Sequence, residues 1–185
     1  EPIDFGELIN CEIDPVGDTD TFRFDGSDGD RIRLHAVSRS PDSTVCVELF
    51  DPDEFSLTRR CLGTVEFEEV LDDTGEYYLK ITENGNNSTM DYSFLVERIS
   101  PHSDSATEII PGDMISDSID PAIDMDLYYF PGSDGDRIRT HATSMSPGST
   151  VCVELFDPAG FRLTRRCLGT VNLKKSWIWT ASTPF

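Results

Sequence analysis

In "DRIRLHAVS" the apolar residues Ile32, Leu34 and Ala36 alternate with Arg31, Arg33 and His35, a period of two that predicts a strand buried on one face. The same period runs through "DTFRFD", "STVCVELFD", "SLTRRCL", "VEFEEVL", "GEYYLKIT" and "MDYSFLVER", each bounded by Gly, Pro, Asp or Asn. With the opening "GELINCEI" this makes about eight short strands in roughly 100 residues, spacing that predicts an antiparallel sandwich around one core. No segment carries helical spacing. Alternation also assigns faces. Tyr77, Leu79 and Ile81 point inward and Tyr78 and Lys80 outward, while His35 falls opposite Ile32, beside Arg33.

The pattern then repeats. At a constant offset of 106, Gly26–Val65 overlays Gly132–Val171 with 33 of 40 residues identical. "GSDGDRIR", "STVCVELFDP" and "LTRRCLGTV" recur unchanged. Self-similarity at a fixed period marks tandem units. The polar, Ser-rich stretch "ISPHSDSAT" reads as the linker between them. The expected organisation is a complete unit at 1–100 and a second at 101–185, truncated after about Val171.

The second copy stops matching at Val171, where the chain continues "NLKKSWIWTASTPF". Back-translated with one added nucleotide after the Val171 codon, this tail reads V-E-F-E-E-V-L-D-M-D-G-E-Y-S. The first repeat reads "VEFEEVLDDTGEYY" at the same place. The tail is therefore expected to be frameshifted. The second unit should keep its first five strands, lose the last three, and fray or borrow a partner's edge.

Charge narrows the partners. Fifteen basic against 35 acidic residues leave −20 at pH 7, a surface that repels nucleic acid and anionic lipid. It suits cation binding, the alternative being a merely solvated acidic surface. No apolar run approaches the ~20 residues that span a bilayer. Glu1 in place of Met suggests a mature or excised segment.

Five cysteines sort by the repeat: Cys46 with Cys61, Cys152 with Cys167, and Cys11 alone, where the second copy has Asp117. "STVCVELF-DPDE-FSLTRRCL" reads as a hairpin. A turn centred between Asp53 and Glu54 sets Cys46 directly opposite Cys61, and "DPAG" does the same for Cys152 and Cys167. Structural disulfides are the leading reading, with buried free thiols or a metal or redox site as alternatives. Oxidised pairs imply an extracellular home, secreted or at the cell surface. Cys11 is a leftover thiol or an intermolecular contact.

No G-x-S-x-G, H-E-x-x-H or phosphate-cradling Gly loop is present, so the expectation is a protein without catalytic activity. The order "GDTDTFRFDGSDGDRIRLHA", a strand with a "DPD" turn, "DDTGEYYLKI" and "MDYSFLVER" resembles the bacterial pre-peptidase C-terminal (PPC) domain. That family is similar to the collagen-binding modules of clostridial collagenases. The resemblance implies an all-β fold of two tandem jelly-roll-like sandwiches in an accessory module beside the catalytic domain of a parent exoenzyme. Its expected role is attachment to an extracellular protein or polysaccharide, or secretion, with a structural spacer in a large surface protein as the alternative. It further implies Ca²⁺ ligands at Asp104, Asp124 and Asp126, and at Asp18 and Asp20 in the first repeat; acidic strand caps in water are the other reading. Ca²⁺ takes oxygen ligands, so the chemistry is consistent. Tyr78 is the candidate contact residue, although the downstream tyrosines of the collagen-binding relatives are replaced here by "TENGNNST".

Overall fold

Along "DTFRFDG", Phe22, Phe24 and Gly26 are buried while Thr21, Arg23 and Asp25 stand in solvent. The computed structural model describes residues 1–120, 123–133 and 135–176, and among these no helix occurs. The first repeat forms eight strands: β1 (Ile9–Ile13), β2 (Asp20–Gly26), β3 (Arg31–Ser38), β4 (Val45–Phe50), β5 (Ser56–Leu62), β6 (Thr64–Val70), β7 (Gly75–Glu83) and β8 (Met90–Ser100). They make two antiparallel four-stranded sheets, ordered β1-β8-β3-β6 and β2-β7-β4-β5. The fold is an all-β sandwich.

The inward residues of both sheets form one core, with Ile13, Leu34, Leu49, Leu79, Ile81 and Phe94 all fully buried. Each such side chain contributes about 1.5–3 kcal/mol on leaving water. Phe22 of one sheet meets Phe94 of the other at 4.7 Å between ring centroids, and Phe24 stacks on Tyr77 at 5.7 Å. Core tyrosines keep polar partners. The Tyr77 hydroxyl donates to the Asp73 carbonyl at 2.9 Å, and that of Tyr92 to Asp20 Oδ2 at 2.6 Å. Burial, followed by the bond to Asp20, pushes the Tyr92 pKa up. Gly26 cannot be replaced cheaply, because a Cβ there would lie 2.4 Å from Leu71 and 3.0 Å from the Tyr77 ring.

The β4–β5 hairpin sets Cys46 opposite Cys61, and the two are joined by a disulfide. Asp51 organises the turn, its Oδ1 accepting from the amides of Asp53 and Phe55 at 3.0 and 2.8 Å. Glu54 sits there at φ 66°; its counterpart Gly160, at φ 78°, occupies the same left-handed region without the Cβ penalty.

In the second repeat, β11 (Arg137–Thr143) pairs with β14 (Thr170–Ser176), and β12 (Val151–Phe156) with β13 (Arg162–Leu168). The registers repeat those of β3–β6 and β4–β5 at the 106-residue offset, and Cys152 bridges Cys167. The expected loss of three strands is corrected here. Val171 and Leu173 keep the inward alternation, at 0% and 5% exposure, so β14 takes the place of β6 despite the diverged sequence. Among the described residues β7 and β8 have no counterparts. In the first repeat β1 pairs only with β8, and β2 hydrogen-bonds within its sheet only with β7. The expectation that the first five strands are kept is corrected as well: without those partners residues 115–119 form no strand, and of the β2-equivalent segment only Tyr128–Tyr129 does.

Two compact units result: residues 1–108 with 113–129, and residues 109–112 with the chain from 130 on. They divide the chain elsewhere than after residue 100. Residues 113–129 lie with the first unit because β9 (Thr107–Glu108) pairs with β10 (Tyr128–Tyr129), and because Ile123 is buried to 3% exposure.

The Cys46–Cys61 bridge closes 15 residues, worth about 3 kcal/mol in the chain-entropy model. Cys46→Ala/Cys61→Ala is expected to lower the unfolding free energy by about that amount in urea melts followed by circular dichroism. A negligible loss would show that the strand ladder alone holds the hairpin.

Candidate functional site

Three places on the first unit gather candidate side chains. The first is the outer face of the β2-β7-β4-β5 sheet. Register places Arg23 beside Tyr78 and Tyr78 beside Phe50, so two half-buried aromatics and an arginine lie in one row. The next row runs Thr21, Lys80, Glu48, Arg59. Glu76 orients the first row: Tyr78 donates to its Oε1 at 2.9 Å and Arg23 pairs with its Oε2 at 3.4 Å. The bond to Glu76 pushes the Tyr78 hydroxyl pKa up. Tyr78 stands where alternation placed it. Phe50 was missed, although the same alternation, read along "VCVELF", puts it outward with Cys46 and Glu48.

The second place is the outer face of β3, and here the sequence expectation is corrected. Arg33 and His35 read as surface residues, yet Arg33 is 6% exposed and His35 is half-buried. Ile123 and Met125 clasp them: Arg33 Nη1 donates to Met125 Sδ at 3.6 Å, and His35 hydrogen-bonds the Ile123 backbone. Arg33 also pairs with Glu68, and with Glu66 at 3.9 Å. His102 stacks on Tyr129 at 3.9 Å between ring centroids. Burial pulls the His35 pKa down; Glu66 and the Ile123 backbone oppose the shift and Arg33 adds to it.

The third place is an acidic recess lined by Glu97, Ser105, Asp117, Asp124, Asp126 and Tyr128. Glu97 is buried, held by Ser103 and Ser105, and burial raises its pKa. Desolvation first, and then the charges of Asp117 and Asp124, raise the pKa of Asp126. Tyr128 donates to Asp117 Oδ2 at 3.1 Å. Of the sequence candidates for calcium, Asp124 and Asp126 meet here. Asp104 is exposed and Ser105 lines the recess in its stead. Asp18 and Asp20 lie elsewhere, Asp18 Oδ1 accepting from the Thr19 amide at 2.8 Å and Asp20 holding Tyr92. Asp117 was not singled out as a ligand, though its replacement of Cys11 in the repeat alignment was the available signal. The donors are oxygens, as Ca²⁺ requires, but among the described residues no three acidic, His or Cys groups converge on one point. Cys11 is free and half-buried, packed against the core.

No family model and no curated protein matches the chain. Among solved structures it is similar to the pre-peptidase C-terminal domain of collagenase from Bacillus anthracis, at 14% identity and TM-score 0.42, over 52% of this chain and 92% of that one. It is similar also to PliG from Salmonella Typhimurium, a periplasmic lysozyme inhibitor of g-type lysozyme, at 19% identity and TM-score 0.37, over 52% and 95%. PliG from Aeromonas hydrophila stands at 11% and 0.35, over 52% and 93%. At these values the likenesses carry no function over to this chain.

A histidine whose folded pKa lies below its unfolded one costs stability as pH falls through the unfolded value, since only the open form takes the proton. Acidifying from pH 8 to about 5.5 is therefore expected to speed amide exchange at residues 123–127, after correction for intrinsic rates. Glu97, with its raised pKa, acts in the opposite sense, so His35→Gln is the control and should flatten the response. Exchange at 123–127 that ignores pH in the unsubstituted protein would refute the coupling.

Proposed function

We infer that the chain is a non-catalytic, extracellular accessory module that attaches a secreted or surface protein to an extracellular protein or polysaccharide. The observation that carries this reading is the row Arg23–Tyr78–Phe50 on the outer sheet face, next to Lys80 and Arg59. Half-buried aromatics present large apolar area at low entropic cost, and Tyr adds a polar rim. Arg23 and Arg59 pair there with Glu76 and Glu48, so this face is close to neutral on a chain of net charge −20. A bridged hairpin in each repeat supports the location, because disulfides persist in oxidising compartments.

A spacer role is the second reading, favoured by the repetition of one hairpin in identical register. A pull-down against collagen and a panel of insoluble polysaccharides separates the two. Attachment predicts retention on at least one polymer, weakened about tenfold or more by Phe50→Ala/Tyr78→Ala. Retention that the double substitution leaves unchanged, or none on any polymer, favours the spacer.

Calcium belongs to this reading as a stabiliser of the acidic recess. A dication there relieves the repulsion already expressed in the raised Asp126 pKa. Extracellular modules bind Ca²⁺ at roughly 10⁻⁴–10⁻³ M; at millimolar Ca²⁺ the melting temperature should rise, and Asp126→Asn should remove the rise. An equal shift in both proteins would place any binding elsewhere.

A further inference from the structure

Near-identical strands meet different surroundings in the two repeats. β12 reads "VCVELF", as β4 does, and β11 reads "RIRTHAT" against "RIRLHAV" in β3. In the first unit β4 lies between β5 and β7, and β3 between β6 and β8. In the second, among the described residues, β12 has only β13 and β11 only β14. Burial follows the neighbours. Ile32, Ala36, Val45 and Val47 are fully buried, whereas Ile138, Ala142, Val151 and Val153 are only half-buried. Cys46 is buried and Cys152 exposed. A Cβ at Gly26 would collide with Leu71 and Tyr77; at Gly132 it would meet nothing within 4 Å.

We propose that the β11 and β12 edges of the second unit are an acceptor site for one kind of partner, the two closing strands of another copy of this repeat, which carry the β7 and β8 patterns and join one sheet each. The pairing that β7 and β8 make in the first unit defines the fit. There Glu48 lies opposite Lys80, Val47 opposite Ile81 and Leu49 opposite Leu79; at the offset of 106, β12 presents Glu154, Val153 and Leu155. Arg33 lies opposite Glu97, and Asp30 pairs with Arg98 at 3.6 Å; the second repeat retains Arg139 and Asp136. Main-chain ladders supply the attraction of strand addition, and the alternate side chains supply its selectivity. The donor's Lys faces the acceptor's Glu, its Glu faces the acceptor's Arg, and its inward Tyr, Leu, Ile and Phe cover the half-buried Ile138, Ala142 and Val153.

The test adds a synthetic peptide of residues 75–100 to the full chain and follows amide exchange residue by residue. Exchange in β11 and β12 should slow on the order of tenfold or more, saturably, while β3 and β4 stay unchanged. A peptide carrying Leu79→Asp and Phe94→Asp should give no protection. To avoid self-association of a free peptide, a second variant joins residues 66–100 directly after Val171; in it β11 and β12 should approach the protection of β3 and β4. No gain in that variant, or equal protection by the substituted peptide, overturns the proposal.

Discussion

A strand inside a sheet must satisfy hydrogen bonds on both edges, and two strands of the first repeat, β7 and β8, carry that requirement for almost everything around them. Each is an interior strand of its own sheet. β1 is held within its sheet by β8 and β2 by β7, so the first two strands of the repeat are held by residues 49–85 positions further on. The second repeat is a natural comparison. Where no counterparts of β7 and β8 are present among the described residues, the β12–β13 hairpin and the β11–β14 pair survive in correct register, and of the strands that β7 and β8 would hold only Tyr128–Tyr129 forms one.

The same dependence explains which surfaces the first unit displays. Its β2-β7-β4-β5 sheet keeps an outer face with Phe50 and Tyr78 at the surface. The outer face of β3 is instead covered by Ile123 and Met125, so one sandwich has an open side and a clasped side that holds the following segment. The clasp brings Asp124 and Asp126 toward Glu97 and Asp117. Burial of charge follows from the covering, and the perturbed His35, Glu97 and Asp126 titrations express that cost.

Much of this was legible from residues alone. Period-two alternation gave the strands of the first repeat and sorted Tyr77 from Tyr78. The Asp-Pro turn aligned Cys46 with Cys61 and, through the repeat, Cys152 with Cys167. Other readings went astray, each for its own reason. β14 was expected to be lost because its letters differ from "VEFEEV", but a strand needs only its inward positions, and Val171 and Leu173 supply them. His35 was read as a surface residue because alternation turns it away from Ile32, beside Arg33, and the residues that cover this face, Ile123 and Met125, are distant in sequence.

What the sequence by itself determined is therefore the local part: strand periodicity, hairpin register, the duplicated block and the cysteine pairing, each set by residues close enough for turn geometry to bring together. Only the tertiary structure decided which faces meet solvent, which acidic residues share a recess, and where one compact unit gives way to the next. Those outcomes rest on contacts between residues about 80–110 positions apart, such as Arg33 with Met125 and Gly6 with Ser105, which no local pattern encodes.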